Sequence, residues 1–106
     1  MFSIREMQKM QNELQQKYKN KWQPICAETG KDMLLWMIGE IGEVIDIIKK
    51  NGAAKALENQ EIRSDLIEEM ADVLMYYNDV LCCYGISEEE LKEVYVSKFE
   101  KNMKRW

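Results

Sequence analysis

The stretch from Met33 to Ile48, MLLWMIGEIGEVIDII, limits the possible folds more than any other part of the chain. At 100° per residue, its apolar side chains form one broad face, which predicts a helix buried along that side. Glu40 falls in the middle of this face, and Glu43 lies at its edge. The apolar residues of the face are Met33, Trp36, Met37, Ile41, Val44, Ile47 and Ile48.

The two glutamates of this stretch need an explanation, because an ionised carboxylate is very costly to bury without a partner. Either a cation lies beside Glu40 and Glu43, or the pKa values of both are raised. A hard divalent ion is the simplest answer, since magnesium and calcium prefer oxygen ligands.

Composition excludes several classes of protein. The chain has 106 residues, which predicts a single domain over residues 1–106, and it contains no histidine. The lack of histidine excludes Ser-His and Cys-His nucleophile pairs, and also His-ligated zinc or di-iron sites. The net charge of −4 argues against a nucleic acid polymer as partner. This charge is compatible with a small polyphosphate ligand that binds together with a metal ion.

The three cysteines, Cys26, Cys82 and Cys83, form no CxxC pair. We expect them to be small buried side chains, and their odd number fits a reducing compartment. No uncharged apolar run reaches the roughly 18 residues of a membrane span, and no signal peptide is recognisable. We therefore expect a soluble, cytoplasmic protein without a membrane partner.

Capping residues predict the first two helices. Ser3, with Glu6 three residues later, begins a helix that ends near Asn20. Residues 21–30 form a loop in which Trp22 either fills the core or offers a platform to a ligand. The second helix runs from about residues 30–32 to the pair of residues 51–52, where Gly52 suits a left-handed terminator. A short extra turn over residues 53–59 and a connection over residues 60–63 follow.

The third predicted helix begins at Ser64 as N-cap and runs to about residues 84–85. Glu69 and Asp72 lie three residues apart at one edge of its apolar face, and Tyr76 lies beside them, one turn after Asp72. Glu68 and Asp79 are expected to lie nearer the outside, in solvent.

The fourth predicted helix begins at Ser87, with Glu90 completing a capping box. Its inward stripe starts with apolar residues and becomes polar and cationic at Lys98, Asn102 and Arg105. Cations on an inward face need an anion. The alternative is that they stabilise the helix dipole and pair with surface acids.

Two inward carboxylate pairs and one cationic face together indicate a site for a metal and a polyphosphate. Carboxylates would hold Mg²⁺, the metal would bridge phosphate oxygens, and the cations would hold the far phosphates. A carboxylate beside the metal can orient or deprotonate a water for attack on phosphorus.

The same acids carry a resemblance to a known family. The motif EIGE at residues 40–43, followed by EMAD at residues 69–72, resembles the ExxE…ExxD signature of MazG-like nucleotide pyrophosphohydrolases, of the all-α NTP pyrophosphatase superfamily. The flanking stretches GEIGEVIDII and EEMADVLMYY look like the family's own. SKFEKNMKRW at residues 97–106 is similar to the terminal segment of the dCTP pyrophosphatase branch. The resemblance covers roughly residues 20–106.

The resemblance implies an enzyme that hydrolyses a nucleoside triphosphate, with a deoxynucleotide favoured, between the α and β phosphates, for house-cleaning or pool control. It implies that a catalytic metal site holds Mg²⁺, with Mn²⁺ as a substitute, and that other residues contact phosphate, sugar or base. The implied metal ligands are Glu40, Glu43, Glu69 and Asp72. The implied substrate contacts are Lys98, Asn102 and Arg105 for phosphate or sugar, Tyr76 for the sugar, and Trp22 and Trp36 for the base.

The implied fold is all-α, a bundle of about four main helices completed by dimerisation, as a homodimer or a dimer of dimers. The many apolar positions left over by one short chain also require a partner on physical grounds. Two alternatives stay open. One is a non-catalytic helical interaction module, and the other is the same chemistry on phosphoribosyl-ATP or another nucleotide.

Overall fold

The computed structural model of the chain describes residues 1–105, and every regular element in that range is a helix. The predicted all-α fold class is confirmed. A 3₁₀ turn at Ala27–Thr29 leads into the second helix. The helices are α1 (Ile4–Lys17), α2 (Gly30–Asn51), α3 (Ala53–Glu58), α4 (Gln60–Cys83) and α5 (Glu88–Arg105).

The helix ends follow their capping residues, with one error in the predicted boundaries. Ser3 caps α1 by accepting a hydrogen bond from the Glu6 backbone N–H at 3.2 Å, and Gly52 ends α2 with a φ of 86°. α4, however, begins at residue 60 because the Asn59 side chain accepts from the Ile62 backbone N–H at 3.1 Å. The prediction of Ser64 as N-cap was wrong, and residues 60–63 form the first turn of α4 rather than a connection.

α2 and α4 form the central pair of the fold and run antiparallel. The start of α2 meets the end of α4, where Cys83 Sγ lies 3.7 Å from Met33 Sδ. Further along, Glu40 on α2 lies opposite Glu69 on α4. Early residues of α2 therefore contact late residues of α4, and the short α3 connects the two helices.

α1 packs across the second half of α4 through polar side chains. Gln11 Nε2 donates to Asp79 Oδ1 at 3.0 Å, and Gln8 Nε2 donates to the Ile86 carbonyl at 3.0 Å. Asn78, which is fully buried, donates from its side-chain amide to Met7 Sδ on α1 at 3.2 Å. These bonds hold α1 against α4 and close one end of the space beside α2.

The buried core of the chain is small. Met33, Ala56, Leu81 and Cys83 are its buried apolar side chains among the described residues. The expected burial of the α2 face is therefore only partly correct, because Met33 is buried while Trp36, Ile41 and Ile48 are exposed. Further apolar side chains of α2 are also exposed: Leu34, Leu35, Ile38 and Ile45.

α5 does not lie against the bundle as predicted. Its first turn is tied to α1, where Arg5 forms ion pairs with Glu88 and Glu89 and its backbone N–H donates to Glu88. Beyond that turn the helix shows no substantial packing against the other described helices, and Val94 and Tyr95 are mostly exposed. The expectation of an inward face on this helix was wrong for the single chain.

Within residues 1–105, the helices are all too short or too polar to cross a bilayer.

Candidate metal and nucleotide site

Three carboxylates from the two central helices meet at one point. One oxygen from each of Glu40, Glu43 and Glu69 lies within 4.8 Å of the other two. Glu40 and Glu43 are brought to one side of α2 by their spacing of three residues, and the antiparallel pairing places Glu69 opposite them. The sequence prediction that these three acids act together is consistent with this geometry.

The ion pairs of the described residues do not involve this cluster. Glu40 Oε2 and Glu69 Oε2 are buried, and neither has a hydrogen-bond donor among the described residues. Two carboxyl groups can share a hydrogen bond only when one is protonated. Accordingly, the nearby Glu40 and Glu43 carboxyls raise the pKa of Glu69 from 4.5 to about 7, through hydrogen bonding to its neutral form, with burial and charge repulsion adding to the effect.

The residues fit a hard divalent cation. All three groups supply oxygen, two of those oxygens are buried without a partner, and their spacing brings them within reach of one ion. A bound cation would replace the proton that Glu69 otherwise tends to keep.

Asp72, the fourth predicted ligand, is placed next to this cluster but outside the group of three. It lies one turn after Glu69 on α4 and lines the same cavity as Glu40. The structure therefore brings three of the predicted ligands together and sets the fourth at the cavity wall beside them.

A cavity of about 500 Å³ extends from Glu40 and Asp72 along the groove between α1, α2 and α4. Its volume is in the range of ordinary small-molecule sites. Three predicted substrate contacts line it, namely Trp22, Trp36 and Tyr76. Trp36 and Tyr76 have ring centroids 6.2 Å apart, and Trp22 stacks on Tyr18 at 4.7 Å.

Trp22 is 43% exposed, so it does not fill the core. Of the two roles left open for it, the platform facing a ligand agrees with its position at the cavity. The stacking on Tyr18 holds the indole there, and Tyr18 lies at the C-cap of α1. The loop before α2 thus contributes an aromatic surface to the cavity.

Tyr76 stands between acidic groups and keeps its proton. Burial raises the pKa of its phenol, and the negative charges of Glu40, Asp79 and Asp72 raise it further. A phenol with a raised pKa is a hydrogen-bond donor at neutral pH. Tyr76 can therefore donate to an acceptor on a ligand while its ring supplies a flat apolar wall.

Sequence reasoning missed the polar end of the cavity. Asp79 was expected in solvent, but it is only 5% exposed and lines the cavity together with Gln11 and Gln15. Burial raises the pKa of Asp79, while hydrogen bonds from the two glutamines oppose that rise. The spacing of Asp72, Tyr76 and Asp79 by four and three residues was the available signal, since it puts all three on one face of a helix.

Lys21 was also missed as a cavity residue. The predicted phosphate contacts lie elsewhere: the described cavity lining contains none of Lys98, Asn102 and Arg105. Lys98 is exposed on the part of α5 that projects from the bundle. Within one chain, the acids and the α5 cations are therefore not brought together.

Comparison with known proteins gives one match. A family model described as the MazG nucleotide pyrophosphohydrolase domain matches residues 28–105, which covers α2 to α5 and all the clustered acids. The searches of curated proteins and of solved structures gave no match.

Proposed function

Because the chain belongs to the MazG nucleotide pyrophosphohydrolase family, we propose that it hydrolyses a nucleoside triphosphate, preferably a deoxynucleoside triphosphate, to the monophosphate and pyrophosphate with the help of Mg²⁺. The observation that carries this proposal is the cluster of Glu40, Glu43 and Glu69, whose oxygens lie within 4.8 Å of one another at an aromatic-lined cavity. A structural role does not require buried acids without partners.

In this proposal Glu40, Glu43, Glu69 and Asp72 hold the metal. When bound, Mg²⁺ supplies charge neutralisation at the phosphates and a lower pKa for a coordinated water. The carboxylates hold and orient the attacking water, and one of them accepts its proton. No covalent nucleophile is needed, which agrees with a chain that contains no histidine to activate one.

The cavity supports a nucleotide as substrate. Trp22 and Trp36 provide flat surfaces for a base, and Tyr76 lines the same cavity with its ring centroid 6.2 Å from that of Trp36. An aromatic ring against the sugar leaves little room for a 2′-hydroxyl, which is why we propose a preference for deoxyribose.

We further propose that the working form is a homodimer or a dimer of dimers. A compact monomer of 12.6 kDa would expose about 6,200 Å², whereas this chain exposes 8333 Å². Its radius of gyration is 16.2 Å, compared with about 13 Å for a compact domain of this length. The excess surface is of the size that stable dimers bury, and α2 supplies apolar side chains for it.

A dimer also offers a role to α5. Its apolar side chains Val94, Phe99 and Met103 are exposed in the single chain, which supports packing against a second copy. We propose that the α5 cationic face, formed by Lys98, Asn102 and Arg105, contacts phosphate or sugar at the cavity of the partner.

The decisive experiment is incubation with each common NTP and dNTP in the presence of Mg²⁺, with pyrophosphate and orthophosphate measured separately. Pyrophosphate with the matching monophosphate is the expected result. Release of orthophosphate would place the cleavage at another bond. No turnover of any nucleotide and no Mg²⁺-dependent rise in melting temperature would support the non-catalytic interaction module instead.

A further inference from the structure

Three residues of α4 lie in a row along the cavity. Asp72, Tyr76 and Asp79 all line it, and their spacing of four and three residues keeps them on one face of the helix. Asp79 lies about 10 Å along the axis from Asp72, since each residue advances the helix by about 1.5 Å. If the phosphates lie at the acids and the sugar at Tyr76, then Asp79 is next to the base.

The part of the cavity wall formed by Asp79 offers hydrogen-bond acceptors. Asp79 is 95% buried, and an ionised carboxylate only accepts hydrogen bonds. Gln11 Nε2 donates to Asp79 Oδ1 at 3.0 Å, and the nearby Gln15 amide also lowers the pKa of this carboxyl. These amide donors favour the charged form of Asp79 and oppose the rise in its pKa that burial causes.

The orientation of the Gln11 amide follows from this bond. Because the carboxylate accepts and cannot donate, Gln11 has to turn its NH₂ toward Asp79. Its Oε1 then points elsewhere, and Gln11 also lines the cavity. A carboxylate accepts about four hydrogen bonds in total, so Asp79 keeps acceptor capacity after binding the two glutamines.

From this wall of acceptors we infer that Asp79, held by Gln11 and Gln15, reads the edge of the nucleobase and selects bases with an exocyclic amino group over bases with a carbonyl at the same position. This inference rests on the proposed function. An amino group can donate to Asp79, whereas a carbonyl oxygen would face a buried carboxylate that has no proton to donate. A buried polar group left unpaired by the wrong ligand is an effective basis for discrimination.

Matched nucleotide pairs test the inference directly. dCTP and dUTP differ at the 4-position of the pyrimidine, and dATP and dITP differ at the 6-position of the purine. We expect the wild-type protein to favour the amino member of whichever pair it accepts by at least about tenfold in kcat/KM, the size of one charge-assisted hydrogen bond. Equal rates, or a preference for the carbonyl member, would overturn the inference.

Asp79→Asn supplies the second measurement, because an asparagine can turn its NH₂ toward a carbonyl. We expect the amino-to-carbonyl ratio of kcat/KM to fall by about tenfold or more. Glu13→Gln is the matched control, since Glu13 is exposed on α1 and outside the cavity lining, and its ratio should stay at the wild-type value. If Asp79 only supports the packing of α1, the variant should have a lower melting temperature, and kcat/KM should fall equally for all substrates. An unchanged amino-to-carbonyl ratio would refute the base-reading role.

Binding of the products separates this inference from the proposed function. The melting temperature is measured with dCMP, dUMP, dAMP and dIMP in the presence of Mg²⁺. If the amino monophosphate raises the melting temperature more than its carbonyl counterpart, and no triphosphate is turned over, base reading is supported and the hydrolase is refuted. Turnover of triphosphates without any such discrimination would support the hydrolase and refute base reading.

Discussion

At the scale of single residues, the acidic cluster lowers the stability of the metal-free chain. Glu40, Glu43 and Glu69 repel one another in the metal-free chain, and two of their buried oxygens have no donor. Sites of this kind are retained for ligand binding, because the same oxygens would be more stable if paired or solvated. Two predictions belong to this scale.

The first prediction concerns removal of one charge from the cluster. We expect Glu43→Gln and Glu69→Gln each to abolish most Mg²⁺-dependent turnover, because an amide is a poor replacement for a carboxylate ligand. The metal-free melting temperature should stay the same or rise, since repulsion is relieved. Glu68→Gln is the matched control, because Glu68 is exposed beside Glu69 on the same helix. Near-normal kcat in both cluster variants would reject the metal assignment.

The second prediction is a pH dependence of metal-free stability. The pKa of Glu69 is raised from 4.5 to about 7 in the folded chain, so its ionised form is disfavoured there. The contribution of this group to stability is complete below about pH 4.5 and is lost as the pH rises through about 7. We therefore expect the metal-free melting temperature to fall across this window, measured by circular dichroism in a chelator.

Mg²⁺ should restore the stability that the metal-free chain loses as the pH rises. The cation replaces the proton, so we expect its stabilising effect to be small near pH 5 and large near pH 8. In Glu69→Gln, both this Mg²⁺ effect and the decline with pH should be much weaker. A Mg²⁺ effect of equal size at both pH values in the wild-type protein would contradict the assigned role of Glu69.

At the scale of whole elements, α5 behaves differently from the other long helices. The residues of α2 and α4 face each other within one chain, whereas α5 is attached mainly by its first turn to α1. Its local signals are complete, since Ser87 and Glu90 cap it as predicted and Lys104 and Arg105 suit its C-terminal dipole. The helix is therefore specified locally, but its place in the assembly is not.

The third prediction tests what the α5 cations do. If Lys98 grips a phosphate, Lys98→Ala should lower kcat/KM by about tenfold to a hundredfold, as expected for one charge-assisted hydrogen bond. The melting temperature should change little, because an exposed dipole or ion-pair interaction contributes only about a few tenths of a kcal/mol. Lys92→Ala is the control on another side of α5. A lowered melting temperature with unchanged kcat/KM would assign Lys98 a purely structural role.

At the scale of the whole molecule, the chain exposes more surface than a compact domain of its mass. Its accessible surface of 8333 Å² and its exposed side chains on α2 resemble one half of a larger core. Gly39 and Gly42 have open space beside them, so the close approach that glycine permits in a helix is not made within this chain. That side of α2 is where we expect the second copy.

The fourth prediction follows from this open face. The protein should sediment as a dimer or a larger assembly at micromolar concentration. Ile38→Glu should release monomers of 12.6 kDa with little activity, because Ile38 is 61% exposed in the middle of α2. Met10→Glu is the matched control, since Met10 is 52% exposed but lies on α1. An active wild-type monomer would refute the assembly.

The helices and the acidic motif could be predicted from local sequence, because both depend on interactions within a few residues. The period of apolar residues, the Ser3 and Ser87 caps and the Gly52 terminator act locally, and a spacing of three residues puts Glu40 and Glu43 on one side of a helix. The start of α4 was missed because Asn59 and Ser64 are both good N-cap residues, and nothing local decides between them.

Contacts between side chains on different helices could not be predicted in this way, because they depend on how the helices pack. Asp79 is buried because Gln11, which lies 68 residues earlier in the chain, donates a hydrogen bond to it, and no local pattern reports that partner. In the same way, the antiparallel pairing of α2 and α4 brings Glu69 next to Glu40, and this proximity raises the pKa of Glu69. Periodicity predicted an inward face on α5, but burial requires an opposing surface. The other described helices do not supply one.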